Sequence, residues 1–419
     1  MSASGFDFHS ILQPGDHVVV GQTCAEPRTL TRALVQQAPE LGSLNIFLGA
    51  LFSDTFAGAL PPEMRFVSYG AMGQAADLAR RGLLDVLPER ISRLPALFEQ
   101  GVLRADVVLV QLAPGVDGAP PSLSLANDHV LAAARRARVV VAELNPHAPW
   151  THGAAWPADV PIHHWVDAEL PPLELPAPPD SAVARAIAAD VASVVGEGAT
   201  LQAGIGALPD AALAGLHGHR ALGFHSGILG DAAVALIERG AITNARKGVD
   251  AGLSVANTVC GTAPTYGFVH RNPAVRVLPP THVHAAEVLA RVGRLHAING
   301  ALQVDLSGQA NCESVNGRAV GGIGGLLDFH RAARASEGGR GIVVLPATAA
   351  GGTQSRIVLD LGGNPATIGR ADADCVITEH GVADLRNATL AERARRLIAI
   401  AAPEFRERLR HDARAVLGV

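Results

Sequence analysis

Four segments carry residue types whose spacing could do chemistry. Gly204-Ile-Gly-Ala-Leu-Pro209 stands between an apolar run and a helical one. Gly204 and Gly206 would let the backbone close on a ligand, and a helix start offers unpaired amides to negative charge. The same spacing fits a plain strand-to-helix turn, and Pro209 stands where a dinucleotide fingerprint would place its third glycine. Gly321-Gly-Ile-Gly-Gly325 has four glycines in five residues and is followed by Asp328 and Phe329. Each glycine has extra backbone entropy to lose, which disfavours ordinary helix or strand. The segment reads either as a flexible turn or as a backbone surface for an oxyanion or an extended ligand arm, with Gly322, Gly324 and Gly325 turned to the ligand. Thr378-Glu-His-Gly-Val-Ala-Asp-Leu-Arg386 follows an apolar strand, where open α/β sheets bind ligands. Glu379 is its candidate catalytic carboxylate, or else a helix-capping or ion-pairing acid. Leu222-Gly-Phe-His-Ser-Gly-Ile-Leu-Gly-Asp231 sets His225 and Asp231 on either side of Gly227 and Gly230. These two are either a catalytic pair or structural residues.

Other chemistries find little support. His163-His164, His217-x-His219 and His282-x-His284 each offer two ring nitrogens but no third ligand at a fixed spacing, so no metal is expected. Cys24, Cys260, Cys312 and Cys375 lie far apart without a CxxC, which speaks against disulfides and structural zinc and for a reducing compartment. There is no GxSxG nucleophile elbow, and no Walker lysine follows a glycine loop.

The elements that must position these segments alternate. His17–Gly21, Leu44–Leu51, Ala105–Ala113 and Arg138–Glu143 read as strands, with helices over Pro27–Ala38 and Asn127–Arg136. Short runs with little polar interruption are typical of parallel strands covered on both faces. Pro171-Pro-Leu-Glu-Leu-Pro-Ala-Pro-Pro179 reads as an extended linker, because proline lacks the amide that helix and sheet require. The expected domains are therefore 1–178 and 179–419. Past the linker the alternation restarts: a helix over Ser181–Val195, a strand over Ala199–Ala203 and a helix over Asp210–Leu216. Strands follow at Gly341–Pro346 and Asp374–Thr378, then helices at Ala391–Ile400 and Pro403–Leu409.

Bulk composition agrees with a chain that buries a large core. Of 419 residues 48% are hydrophobic and 17% charged, which excludes a disordered or solvating polymer. The net charge of −5 has no basic block beside it, so nucleic acid is not an expected partner. No apolar run approaches the roughly 20 residues of a membrane span. The start of the sequence lacks a basic stretch leading into an apolar core, and a cytoplasmic location is expected.

Read in order, several segments resemble the acetyl-CoA hydrolase/CoA-transferase family. They are Asp305-Leu-Ser-Gly-Gln-Ala-Asn311, Val320 to Phe329, Leu345-Pro-Ala-Thr348, Thr353-Gln-Ser-Arg-Ile-Val358, Val376 to Arg386 and Ala402-Pro-Glu-Phe-Arg406. Gly204 to Pro209, Ile242-Thr-Asn244 and, more loosely, Cys24-Ala-Glu-Pro27 extend the similarity toward the N-terminus. The resemblance implies an α/β fold of two open domains of related topology, with the active site in the cleft between them. It implies an acyl-CoA and a small carboxylic acid as partners, coenzyme A as substrate with no permanently bound cofactor, and a homodimer or larger homo-oligomer. Asn311 becomes a polar partner for the thioester or the CoA arm, beside the glycines of the two loops. The family's nucleophile is a glutamate two residues after the His of an HSE or HTE segment. It forms an anhydride and then a glutamyl-CoA thioester. This chain reads His225-Ser226-Gly227 there, so that covalent intermediate cannot form at that position. Three readings stay open: another carboxylate acts (Glu379 first, then Asp231, Glu26 or Glu313); Glu379 or His225 activates water for hydrolysis; or the protein is a non-catalytic binder of CoA esters, or catalyses a different CoA-ester reaction, without a covalent enzyme intermediate.

Overall fold

The β-branched run His17–Val20 pairs in parallel on both sides, with Leu44–Leu48 and Val107–Leu112. All six residues of Val107–Leu112 are buried, as expected for a strand covered on both faces. The computed structural model describes residues 6–176 and 179–417, with 416 and 417 as backbone alone. Among the described residues no helix is long and apolar enough to cross a membrane.

The chain divides into two compact units, Met1–Pro176 with Val255–Ala285 and Arg318–Gly324, and Ala177–Ser254 with Ala286–Gly317 and Gly325–Val419. The first unit holds a seven-stranded parallel sheet. Its spatial order is Leu84–Val86, Met64–Ser68, Leu44–Leu48, His17–Val20, Val107–Leu112, Val139–Leu144 and His164–Asp167. The chain enters mid-sheet, walks outward and then resumes on the other side of His17–Val20. This creates a topological switch point beside Val107–Leu112. Val18, Val20, Leu30, Leu34, Ile46 and Phe66 belong to the core under this sheet.

The second unit repeats the plan. Its strands lie in the order Gly223–Leu229, Thr200–Ala203, Leu295–Gly300, Arg340–Val344, Cys375–Thr378 and Gly381–Asp384, and the last pairs antiparallel. Here the switch point falls between Thr200–Ala203 and Leu295–Gly300. Val343, Leu345, Val376, Leu397 and Ile398 belong to its core. Helix Ala182–Val194 starts at Ser181, whose hydroxyl accepts the Ala184 N–H. Leu390–Ala399 starts with a reciprocal Thr389–Glu392 capping box.

Most elements fall where the sequence places them, with differences at the ends. The first helix runs Arg28–Leu41, through Pro39. A proline in the last turn removes only one helical bond, so the helix continues past it. The helix expected from Asn127 begins at Val130. Asp128 Oδ1 accepts the Val130 N–H at 2.8 Å, and the Asn127 amide reaches Gly153 O and Val277 O. Side chains bonded to backbone in this way hold a turn instead of a helix. The last helix is longer than expected, Pro403–Leu417. Of the Pro-rich stretch, Ala177 and Pro178 lie outside the described residues. The part before them is neither helix nor strand, and its Leu175 N–H donates to Gly261 O at 2.8 Å.

Candidate active site

In the second unit, strand Thr200–Ala203 runs out at Gly204, beside the switch point. Gln202 and Asn299 are buried on neighbouring strands and exchange two hydrogen bonds, of 3.1 and 2.8 Å. A Cβ on residue 204 would stand 2.6 Å from Asn299 Oδ1, so the locked amide pair leaves room only for glycine. Gly206 has φ +126° and precedes helix Ala207–Gly215, with open space where its Cβ would be. The first N–H groups of any helix lack partners within it, so this loop presents donors at the strand end.

The neighbouring strand, Gly223–Leu229, carries His225, Ser226 and Gly227. His225 and Ser226 are fully buried. Ser226 Oγ donates to Ala203 O at 3.1 Å and accepts the Ala203 N–H at 3.3 Å, which ties the two strand ends together. The His225 ring meets Phe329 edge-on, with centroids 6.4 Å apart. Gly227 is half-buried in extended strand conformation.

Two acids follow these strands. Asp231 opens helix Asp231–Glu238, and Asp210 sits in the first turn of Ala207–Gly215. Burial first, and the neighbouring Asp231 charge second, push the Asp210 carboxyl up to about 6. Asp210 is a residue that sequence reading passes over, since an acid in a helix's first turn is ordinary. Only the burial that folding imposes, with the Asp231 charge added to it, makes it unusual.

Glu379 follows Cys375–Thr378, and its Oε2 accepts the Ala347 N–H at 2.8 Å. The strand before it lies four places along the sheet from Gly223–Leu229. At about 4.8 Å per place, these strands stand roughly 19 Å apart. Glu379 thus anchors the loop after Arg340–Val344, while His225, Gly204, Gly206, Asp210 and Asp231 gather around two adjacent strand ends.

Asn311 is fully buried, and its amide is used locally. Its Nδ2 donates to Ser314 O at 2.7 Å and to Gln303 Oε1 at 3.3 Å, while its Oδ1 accepts the N–H groups of Glu313 and Ser314. Gly322 and Gly324 belong to the first unit. There Ala71 N–H donates to Gly321 O at 2.7 Å and Ile91 N–H to Gly324 O at 3.0 Å. A Cβ on Gly322 would stand 2.8 Å from the Gly70 Cα, so these glycines permit contact between two stretches of backbone. Gly325 belongs to the second unit and precedes helix Leu326–Ala335. Of the remaining carboxylates, Glu313 Oε1 accepts the Thr367 hydroxyl and Glu26 Oε1 the Thr31 hydroxyl, each at 2.7 Å.

Residues 3–190 match the model of the acetyl-CoA hydrolase/transferase N-terminal domain, and residues 261–413 that of the acetyl-CoA hydrolase/transferase C-terminal domain. The chain is 35% identical over 407 residues to 4-hydroxybutyrate coenzyme A transferase of Clostridium kluyveri, covering 96% of this chain and 95% of that protein. The crystal structure of RipA from Yersinia pestis superposes with a TM-score of 0.92 at 30% identity, over 98% of this chain and 96% of that one. A 4-hydroxybutyrate CoA-transferase from Porphyromonas gingivalis superposes with a TM-score of 0.80 at 32% identity, over 99% and 97% of the two chains.

Proposed function

The chain belongs to the acetyl-CoA hydrolase/transferase family, and from that premise we propose that it transfers coenzyme A from an acyl-CoA to a small carboxylic acid without a covalent link to residue 227. The observation that carries this reading is the second unit's strand-end cluster: the locked Gly204 turn, the donors of the following helix start, and Gly227 beside them with no side chain. The acceptor's own carboxylate takes the place of the family's glutamate. Its oxygen attacks the thioester carbonyl, the C–S bond breaks, and the CoA thiolate leaves with the electron pair. The products of this half are a mixed anhydride and CoA thiolate. The thiolate then attacks the acceptor's carbonyl carbon, the anhydride C–O bond breaks, and the original acid departs. Both tetrahedral oxyanions need fixed donors, which the Gly206–Leu208 backbone can supply. Asn311 shapes its loop in this reading, Glu379 holds the loop around Ala347, and His225 packs behind the strand end.

The Asp210–Asp231 pair favours a second reading, hydrolysis. A carboxyl poised near pH 6 can take a proton from attacking water. The substrate partners are then acyl-CoA and water.

One experiment separates these readings. The protein is incubated with a panel of acyl-CoAs, with and without a carboxylic acid and borohydride, and both peptide masses and free CoA are followed. Direct transfer predicts acceptor-dependent exchange of CoA with no adduct on the protein. Acceptor-independent release of CoA would establish hydrolysis, and a reducible adduct on any carboxylate, Glu379 included, would overturn the non-covalent route.

A further inference from the structure

The four cysteines are free thiols, and the sequence keeps them far apart. Folding brings two of them together inside the first unit. Cys24 lies in the short turn Thr23–Ala25, past the end of strand His17–Val20. Cys260 lies just past strand Ser254–Val259. Both are buried, and their thiols are hydrogen-bonded to each other. The Cys24 thiol also meets the Gly261 backbone, and the Cys260 thiol the Cys24 backbone, so each segment holds the other's sulfur. A disulfide places its sulfurs about 2.0 Å apart, so thiols already in hydrogen-bond contact have a short approach to make. The turn that carries Cys24 is strained. Thr23 holds φ +57°, and its N–H donates to Ala50 O at 2.8 Å. The left-handed region is costly for a β-branched residue, and such strain collects at functional and switching segments.

The two sulfurs are chemically unequal. The hydrogen bond with Cys260 draws the Cys24 thiol below its ordinary value, against the opposing effect of burial, and the Tyr266 hydroxyl, the Gly261 backbone and the Arg28 charge act with it. The same hydrogen bond, with burial, pushes Cys260 well above its ordinary value. Negative charge therefore settles on Cys24 while Cys260 keeps its proton, and the thiolate is the reactive form of cysteine. Burial pushes both Cys312 and Cys375 up to about 12, so these two stay protonated.

We propose that Cys24 and Cys260 are a peroxide-sensing pair that closes to a reversible disulfide, tying the Thr23–Ala25 turn to the segment after Ser254–Val259. The Cys24 sulfur attacks one oxygen of hydrogen peroxide and the O–O bond breaks. The departing hydroxide takes up the proton that Cys24 gave up and leaves as water. Cys24 is now a sulfenic acid, oxidised by two electrons. The Cys260 sulfur then attacks the Cys24 sulfur, the S–S bond forms and the S–O bond breaks. Hydroxide leaves with the Cys260 proton as a second water. Two thiols and one peroxide thus give one disulfide and two waters. In reducing compartments disulfides are usually of this transient, sensing kind. This chemistry needs no acyl-CoA and stands apart from the transfer reading.

Thiol mapping of the whole protein tests the pair. Native protein is treated with a few equivalents of hydrogen peroxide, unfolded in N-ethylmaleimide and digested without reductant. The Cys24 peptide should be joined to the Cys260 peptide within one chain, with Cys312 and Cys375 alkylated. Dithiothreitol before alkylation should return both thiols. Cys260→Ser removes the resolving thiol, so dimedone should trap a sulfenic acid at Cys24. The same probe should label Cys260 in Cys24→Ser several-fold more slowly. If peroxide leaves Cys24 and Cys260 fully alkylated in wild type, there is no sensing pair. A bridge to Cys312 or Cys375, a bridge between two chains, or sulfinic acid at Cys24 without a bridge would equally overturn it. Equal dimedone labelling of the two single variants would overturn the assignment of Cys24 as the attacking sulfur. The wild-type map requires no variant, so it decides the pairing even if a serine variant folds poorly.

Discussion

At residue 227 the backbone lies in extended strand, outside the left-handed region that only glycine favours. Gly227→Glu is therefore expected to stay within about 1 kcal/mol of wild-type stability, as ordinary partly exposed substitutions do. It should introduce a carboxylate that forms a borohydride-reducible thioester on its own peptide, with kinetics that change from sequential to ping-pong. A stable variant that binds CoA and shows neither change would count against position 227 as the nucleophile's place. Asp210 and Asp231 make a second prediction at this scale. The Asp210 carboxyl is raised to about 6 from an ordinary value of 3.8, so the folded state holds its proton more tightly than the unfolded chain. The unfavourable contribution of its ionised form grows as pH rises from about 4 to about 6, and this group's share of stability falls over that window. Asp231→Asn removes the repulsion. Urea melts at pH 4, 5, 6 and 7 should show a flatter fall across the window, and any acid limb in the rate profile should move to lower pH.

The strands of the second unit are held at their other ends by a charge network. Asp374 is completely buried and faces Arg340 at 3.3 Å and Arg386 at 2.5 and 2.7 Å, and it accepts the Gly341 N–H at 2.9 Å. Arg340 opens its strand and Asp374 immediately precedes Cys375–Thr378, so the network fixes the ends where these two strands begin. Ligand groups in such sheets gather where strands finish. Removing one partner of a buried pair typically costs about 3–5 kcal/mol. Both arginines are about a quarter exposed and can turn to water, so the lower end applies. Asp374→Ala should lower stability by about 3 kcal/mol, read from the urea midpoint at unchanged slope. At this scale apolar runs such as Val107–Leu112 are legible because burial on both faces writes itself into consecutive residues. The late start at Val130 is not, because Asn127 bonds to Gly153 and Val277, which are remote in sequence.

Over the whole chain, the two units are interleaved along the sequence. Val255–Ala285 and Arg318–Gly324 belong to the first unit although they follow the Pro-rich stretch. Asn257 Nδ2 donates to Asn127 O at 2.6 Å, Leu175 N–H to Gly261 O, and Ala71 N–H to Gly321 O. A fragment of residues 1–178 lacks these partners, leaving groups such as Asn127 O without a donor. It should show no cooperative thermal transition by circular dichroism, whereas the full chain should. A sharp transition in the fragment near that of the full chain would show that the returning segments are dispensable.

The α/β alternation, the family and the glycines at positions 204 and 227 are legible in the chain alone. Each depends on residue type and local order, which the chain carries openly. Tertiary structure decided the rest. It brought Asp231 up to Asp210, used the Asn311 amide on its own loop, set Gly322 against Gly70 and Glu379 at Ala347, and returned residues 255–285 to the first unit. Those outcomes arise from neighbours distant in sequence, and a proton's affinity or a hydrogen bond's partner is set by whatever folding brings within a few ångströms.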